Sequence, residues 1–518
     1  MKLNYKRTVC VGFAFFLICT FWQAYDTIIP KILTDRFGMS QTLSGFIMAI
    51  DNILALFMLP LFGVISDKCK SKMGRRTPFI LFGTIVACLA LVGLSFVDSA
   101  QLRKIDAVTD LDSAAAREII YDYDYSDKLL TPDNESFVLK EKFTKEQFIA
   151  VKSVDEETGS ASLDYTNYVV PARQAYIHEE ITGKDPSALI IFIAVLLILL
   201  ISMATFRTPA VALMPDVTVK PLRSKANAVI NLMGTIGGSL VLVLGMVFAT
   251  GNIANTYMSY TGYFCAVAGI MAVCLIAFLA TVREPKFVAE MEKTSREYGI
   301  DDNDGDKADG EGDRKLSKSE MTSLILLLAS VVLWFFGYNA VTSKYSVYAG
   351  NILDLDYNST LLVANVAALI AYIPVGIIAS KVGRKKTIIA GVIMLCGAFA
   401  TASFLEAGTP LPVMMVIFAV AGIGWATINV NSFPMVVELA RGGKVGTYTG
   451  YYYTASMAAQ TLTPVVSGFL MDKMGMRVLF PYAAIFAAGA VVTMIFVRHG
   501  DSKPAPAKSK LEGLDVDM

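Results

Sequence analysis

Charge is scarce in this sequence: 17% of its 518 residues are charged against 54% hydrophobic, and 45 basic side chains are cancelled by 45 acidic ones. A soluble domain is usually near a quarter charged, so a soluble enzyme is excluded. Zero net charge removes nucleic-acid partners, which need a basic surface to displace phosphate counterions. Histidine is almost missing, with only His178 and His499. No metal-ligand spacing, nucleophile elbow or phosphate loop is found, so no catalytic residue, cofactor or metal is expected. Gly422-x-Gly424 lies inside an apolar run with no strand before it, which argues against a dinucleotide site. The seven cysteines (Cys10, Cys19, Cys69, Cys88, Cys265, Cys274, Cys396) fall in apolar runs or a basic loop and imply no disulfide framework.

What is present is apolar sequence in runs of about 20 residues, such as Val9 to Ile29 and Met321 to Val341, long enough to cross roughly 30 Å of hydrocarbon. Hydropathy predicts spans near 9–30, 43–64, 79–97, 187–214, 226–250, 258–281, 322–341, 360–380, 387–405, 411–433, 446–468 and 479–497. The expected fold is an all-α membrane protein of twelve transmembrane helices. Lys2, Lys6 and Arg7 precede the first run as in a secretion signal, but the run is too long and no small-residue cleavage site follows, so it reads as an uncleaved span. With both termini in the cytoplasm, the inner loops hold most of the Lys and Arg and the short outer loops few, which satisfies the positive-inside rule for a multi-pass protein of the cell membrane.

Two segments are not membrane. Residues 98–187 form an extracellular insertion between helices 3 and 4, with 19 acids against 10 bases. The alternation Ile120 to Tyr125 predicts one strand there, and Tyr165, Tyr168, Val169 and Val170 a second; a mobile acidic loop is the alternative. Residues 283–320, with 12 acids and 8 bases, read as an unfolded cytoplasmic linker. The domains are then 1–97 with 188–282 as one six-helix bundle, 321–498 as the other, and 499–518 as a cytoplasmic tail.

The two bundles repeat one another. Tyr25-Asp26-x4-Lys31 in helix 1 returns as Tyr338-Asn339-x4-Lys344 in helix 7, the loop GVISDKCKSKMGRR (63–76) returns as GIIASKVGRKK (376–386), and Asn52 aligns with Asn365. Two such repeats place a working site at their interface near the midplane. In the loop, Gly63 lets helices approach, Asp67 can pair with a cation or helix end, and Gly74, Arg75 and Arg76, with Gly383 and Arg384 in the second half, hold the cytoplasmic edge as a gate.

This loop resembles the signature of the major facilitator superfamily in both halves. Its longer form, Ser66 to Ile80, together with Thr208-Pro209-Ala210-Val211-Ala212-Leu213-Met214-Pro215-Asp216 and Ala226-Asn227-Ala228, resembles more narrowly the plant sucrose carriers and their bacterial and animal relatives. That resemblance implies proton-coupled uptake of a sugar or glycoside. Two positions differ: Val211 stands where those carriers have an arginine and Leu200 where they have an acid, which implies coupling through other groups.

A charge inside a span is costly and marks function. The three here are Asp51, roughly 12 Å deep in helix 2 at 1.5 Å per residue, Arg207 in helix 4, and Asp26, nearer the outer boundary, where a solvated helix end is the alternative. Asp51 and Asp26 are the proton-coupling candidates; Ala55 one turn beyond Asp51 argues against the paired acids that sodium would favour. Substrate-binding candidates are Arg207, the helix tryptophans Trp22, Trp334 and Trp425, and the amides and phenols Gln23, Tyr25, Asn52, Asn231, Tyr338, Asn339, Asn429, Asn431 and Gln460. Aromatic rings meet the C–H faces of a sugar and amides its hydroxyls; membrane anchoring and helix packing compete for the same residues. Gly234-x-x-x-Gly238 reads as helix packing. The expectation is a monomeric secondary transporter of a sugar or glycoside with a proton. A nutrient sensor or scaffold, or an exporter of amphipathic compounds, are the alternatives.

Overall fold

The computed structural model describes residues 3–154, 161–219, 222–297, 317–439 and 445–500. Long helices occupy all twelve expected positions. The first half contains α1 (Tyr5–Lys31), α2 (Gln41–Asp67), α3 (Thr77–Lys104), α8 (Ser187–Asp216), α9 (Arg223–Val247) and α10 (Thr261–Thr281). The second contains α12 (Lys318–Tyr348), α13 (Tyr357–Val382), α14 (Arg384–Ala402), α15 (Leu411–Val437), α16 (Val445–Met474) and α17 (Leu479–Phe496). Helix starts are set by local capping: Asn4 accepts from the Arg7 amide, and Ser317 and Glu320 form a reciprocal capping box. Among the described residues, ten helices are long and apolar enough to cross a membrane, and Tyr357–Tyr372 is a shorter apolar stretch.

Each half has its own apolar core. Large side chains are also left bare on the outside, among them Phe82, Leu89 and Phe96 of α3, Ile276 of α10 and Ile485 of α17. Only a hydrocarbon surrounding makes that surface stable, and the chain is a multi-pass membrane protein. The packing follows the repeat: α1 on α9 matches α12 on α16, and α3 on α8 matches α14 on α15. Between halves, α2 packs on α16 and α9 on α13, again an equivalent pair. The Gly234 stripe lets α9 lie against α1, since a Cβ at Gly234 would stand 2.8 Å from the Cys19 sulfur and one at Gly237 2.6 Å from the Phe16 carbonyl oxygen. All seven cysteines are free thiols.

Within 106–182, the described residues 106–154 and 161–182 form a module with its own core, including Val108, Ile120, Phe148, Tyr165 and Ile177. Its main elements are helices where strands were expected. Ile120 closes α4 (Ala114–Asp122), capped by Ser113, where Ala116, Arg117 and Ile120 share one buried face. Tyr165 and Val169 lie in a π turn continued by α7 (Val170–Tyr176), burying Tyr165, Val169 and Ala172 at helical spacing. Among the described residues the β structure lies elsewhere: one antiparallel pair, β1 (Leu129–Leu130) with β2 (Ser136–Phe137), and a single bridge between Val154 and Ala161. Short helices α5 (Leu139–Lys142) and α6 (Lys145–Ala150) complete the module. Two arginines are buried in it: Arg117 donates to the Leu111 carbonyl and Arg173 to the Tyr165 hydroxyl. Burial, and then the neighbouring Arg173 charge, push Arg117 down to about 10.

The expected linker is folded at its start. Helix α11 (Glu284–Glu297) lays Phe287 and Val288 against the first half, with Met291 buried one turn on, and Arg7 stacks 4.1 Å from the Phe287 ring. The acidic run 301–313 and tail residues 501–518 lie outside the described residues.

Candidate functional site

A cavity of about 160 Å³ lies between the halves. Five helices line it, four of them with residues at helical spacing: Trp22, Tyr25 and Asp26 of α1, Met48, Asp51 and Asn52 of α2, Asn339, Thr342 and Ser343 of α12, and Gln460 and Pro464 of α16. Arg207 of α8 completes the lining. Positions i, i+3 and i+4 project from one helix face, so each helix offers one stripe.

All three intraspan charges meet here. Arg207 lies 5.4 Å from the Trp22 ring, and Trp22 meets Tyr25 edge-on at 5.4 Å. Asn52 donates to Asp51 at 2.8 Å. Both carboxylates are within electrostatic reach of Arg207, and of each other. Among the described residues Arg207 forms no direct ion pair; Asp216 is taken by Arg75 and Arg76 instead. Asp26 is no solvated helix end. The helix continues through a π turn to Arg36, because Lys31 and Arg36 are buried by protein where hydropathy anticipated water. Three buried polar atoms of the lining have no partner among the described residues: the Trp22 Nε1, the Tyr25 hydroxyl and the Asn339 Nδ2.

The other candidates are placed elsewhere. Gln23 accepts a long 3.4 Å hydrogen bond from Asn365 of the other half. Tyr338 stacks flat on Trp425 at 3.6 Å, Trp334 is fully buried in the second core, and Asn431 donates to its own helix at Thr427. Asn231 is exposed and Asn429 half-buried on α15.

The loop signature builds a hub within the first half. Arg76 reaches Asp67 and Asp216, Arg75 also pairs with Asp216, and Glu284 accepts from the Arg75, Arg76 and Thr77 amides. Gly74, at φ +110°, is required, since a Cβ there would strike the Glu284 carboxylate. Gly63 faces Thr208, which donates to the Leu59 carbonyl across the α2–α8 contact. The second half repeats the device with Gly383 at φ +101° and Arg384 paired to Glu438.

At the module's end of the bundle the halves are bolted together by residues that sequence reasoning passed over. Lys344 donates to the Gln41 carbonyl at 2.7 Å, and Asp472 accepts from the Gln41 and Thr42 amides at 2.9 and 2.7 Å. Lys31 donates to the Thr250 carbonyl, and Thr250 is bonded to Tyr357 and Asn358 of the other half. The signal was there: Lys31 and Lys344 close the repeated Tyr-Asp/Asn-x4-Lys motif.

Comparison with known proteins agrees with this architecture. The family model "Major Facilitator Superfamily" matches residues 181–371 and 361–516, and "MFS/sugar transport protein" matches 10–101. A sucrose transport protein of Oryza sativa subsp. japonica is 41% identical over 59 residues, 11% of each chain. The proton-associated sugar transporter A of Homo sapiens is 36% identical over 88 residues, 17% of this chain and 11% of that one. The matched region thus spans about a tenth of the length of these relatives. The fold is that of the xylose transporter XylE from E. coli in its inward open conformation, with a TM-score of 0.60 and 12% identity over 99% of both chains.

Proposed function

We propose, because the chain belongs to the Major Facilitator Superfamily, that it is a secondary transporter moving a sugar or glycoside together with a proton across a cell membrane. It is a carrier, not an enzyme. It has twelve spans, both termini in the cytoplasm and the module outside, and it works as a monomer by rocking one six-helix half against the other. The observation that carries this reading is the composition of the interfacial cavity: aromatic faces, amides, hydroxyls and unpartnered donors gathered at the junction of two repeats. A polyol satisfies such a lining, whereas an apolar solute would leave it unpaired. The sugar names carried by relatives support the same solute class.

The charges supply the coupling. Two carboxylates against one guanidinium leave an excess negative charge in the cavity, and an uncompensated buried charge is costly. One proton shared by Asp26 and Asp51 removes it, so loading the proton makes the occluded state accessible. The bolts at the module end make this an inward-facing state, with Arg207 and the Trp22 ring clamping solute from one side.

Uptake of a sugar panel into proteoliposomes under an imposed pH gradient tests both parts. Asp51→Asn and Asp26→Asn each leave a permanently neutral cavity, so each should lose gradient-driven accumulation while retaining substrate exchange. Undiminished accumulation in both variants would sink the coupling scheme.

A further inference from the structure

The module touches both halves, but not in the same way. Toward the first half its contacts are buried. Gly38, at φ +64°, lies so close to the module that a Cβ would strike the Gln174 carbonyl and approach the His178 amide nitrogen at 2.8 Å. Thr182 donates to the Phe37 carbonyl, Gln174 donates to Asp35, and Arg173 stacks 5.5 Å from the Tyr257 ring.

Toward the second half, its described residues make two small polar contacts. At the turn before α17, Asp133 pairs with Arg477 at 2.8 Å, Asn134 donates to the Lys473 carbonyl, and the Pro132 carbonyl accepts from the Met476 amide. Both members of that ion pair are more than 40% exposed. At the entry to α13, the Ala161 amide donates to Asp354 at 2.6 Å. Three non-glycine residues have positive φ among the described residues, and two of them, Asn134 and Asp354, sit in these contacts. Between the two contacts the module roofs a polar chamber of about 40 Å³ over the closed end, lined by Lys31, Asp35, Gln174, Ser346, Asn351 and Asp354. The Ser346 hydroxyl there is buried and unpartnered among the described residues.

We propose that the module is a latch on the closed gate, anchored to the first half for good and docked reversibly on the second. The proposal rests on the alternating-access reading above. When this end opens, Asp354 and Arg477 depart with the second half, and little has to break: an exposed ion pair that water replaces at low cost, the backbone bond at Pro132 and the part-buried bond to Asp354. The buried anchor to the first half stays. The latch therefore sets the balance between gate-closed and gate-open states without touching the sugar.

The test needs no substrate. Ser346→Cys places a near-isosteric thiol in the roofed chamber, and its rate of modification by a membrane-impermeant thiol reagent in proteoliposomes reports opening from the module side. Asp133→Ala and Arg477→Ala should each raise that rate about 1.5- to 5-fold, and the swapped pair Asp133→Arg with Arg477→Asp should bring it back. Equal rates in parent, single and swapped variants, each checked for native elution and melting, overturn the latch. A cleavable crosslink in the double variant Asp133→Cys with Arg477→Cys should stop sugar uptake until it is cut; full uptake in the crosslinked chain also overturns it. If the labelling behaves as expected while the parent takes up no sugar, the transport reading fails and the latch stands.

Discussion

Asn339 occupies the place in the second repeat that Asp26 holds in the first, and both line the cavity. That one amide sets the cavity's charge count. Asn339→Asp would add a second excess negative charge, so the variant should need more protons to occlude and its uptake optimum should move to lower pH; an unchanged pH profile counts against charge balance as the coupling principle. Arg207 contributes shape as well as charge, with its planar group over the Trp22 ring. Arg207→Lys should raise the apparent KM for sugar roughly tenfold, about 1.4 kcal/mol, through the lost fork and stacking. Unaltered saturation curves would reduce the residue to a counter-charge. Asp26, Asp51 and Arg207 stood out in the sequence because a charge within an apolar run has few innocent explanations, and all three line the cavity. Thr342 and Ser343 could not, since hydroxyl residues are common in membrane helices and only their spacing from Asn339 places them. Lys344 escaped because it lies beyond the apolar window, on helix that the other half covers.

Among elements, the apolar helices were legible and the module was not. A run of 20 apolar residues has one stable solution in lipid, whereas Ile120 to Tyr125 alternates like a strand and yet ends a helix. The stronger constraint was the Ser113 cap and the buried spacing of Ala116, Arg117 and Ile120. The module's polar centre has a cost that can be measured. Arg173→Met removes the like charge beside Arg117 but strands the Tyr165 hydroxyl and the Asp110 carbonyl. We expect a net loss of about 1 to 3 kcal/mol, seen as faster limited proteolysis within 106–182 in the intact protein at unchanged melting of the helical halves. Wild-type resistance would show that the two buried arginines are in balance without that bond.

For the whole molecule, the repeat explains why the equivalent helices α1 and α12 both line the cavity, and why the loop signature occurs twice. Its two copies differ where Asp67 has Ser380 as counterpart. Asp67 is held by Arg76 in its own half here, so its gating role would require the hub to meet the second half when the cytoplasmic side closes. Asp67→Asn should slow net uptake several-fold while leaving sugar binding intact, with inner-cavity thiols becoming more accessible; unaltered accessibility with normal expression leaves Asp67 a folding residue only. The module adds an asymmetry of another kind. A bundle wrapped in detergent offers little to align in electron micrographs, and its internal duplication makes the two halves hard to tell apart. A compact knob tied to one half gives every particle a direction, and a binding protein raised against that knob would report, by its tilt relative to the bundle, which state each particle had been frozen in.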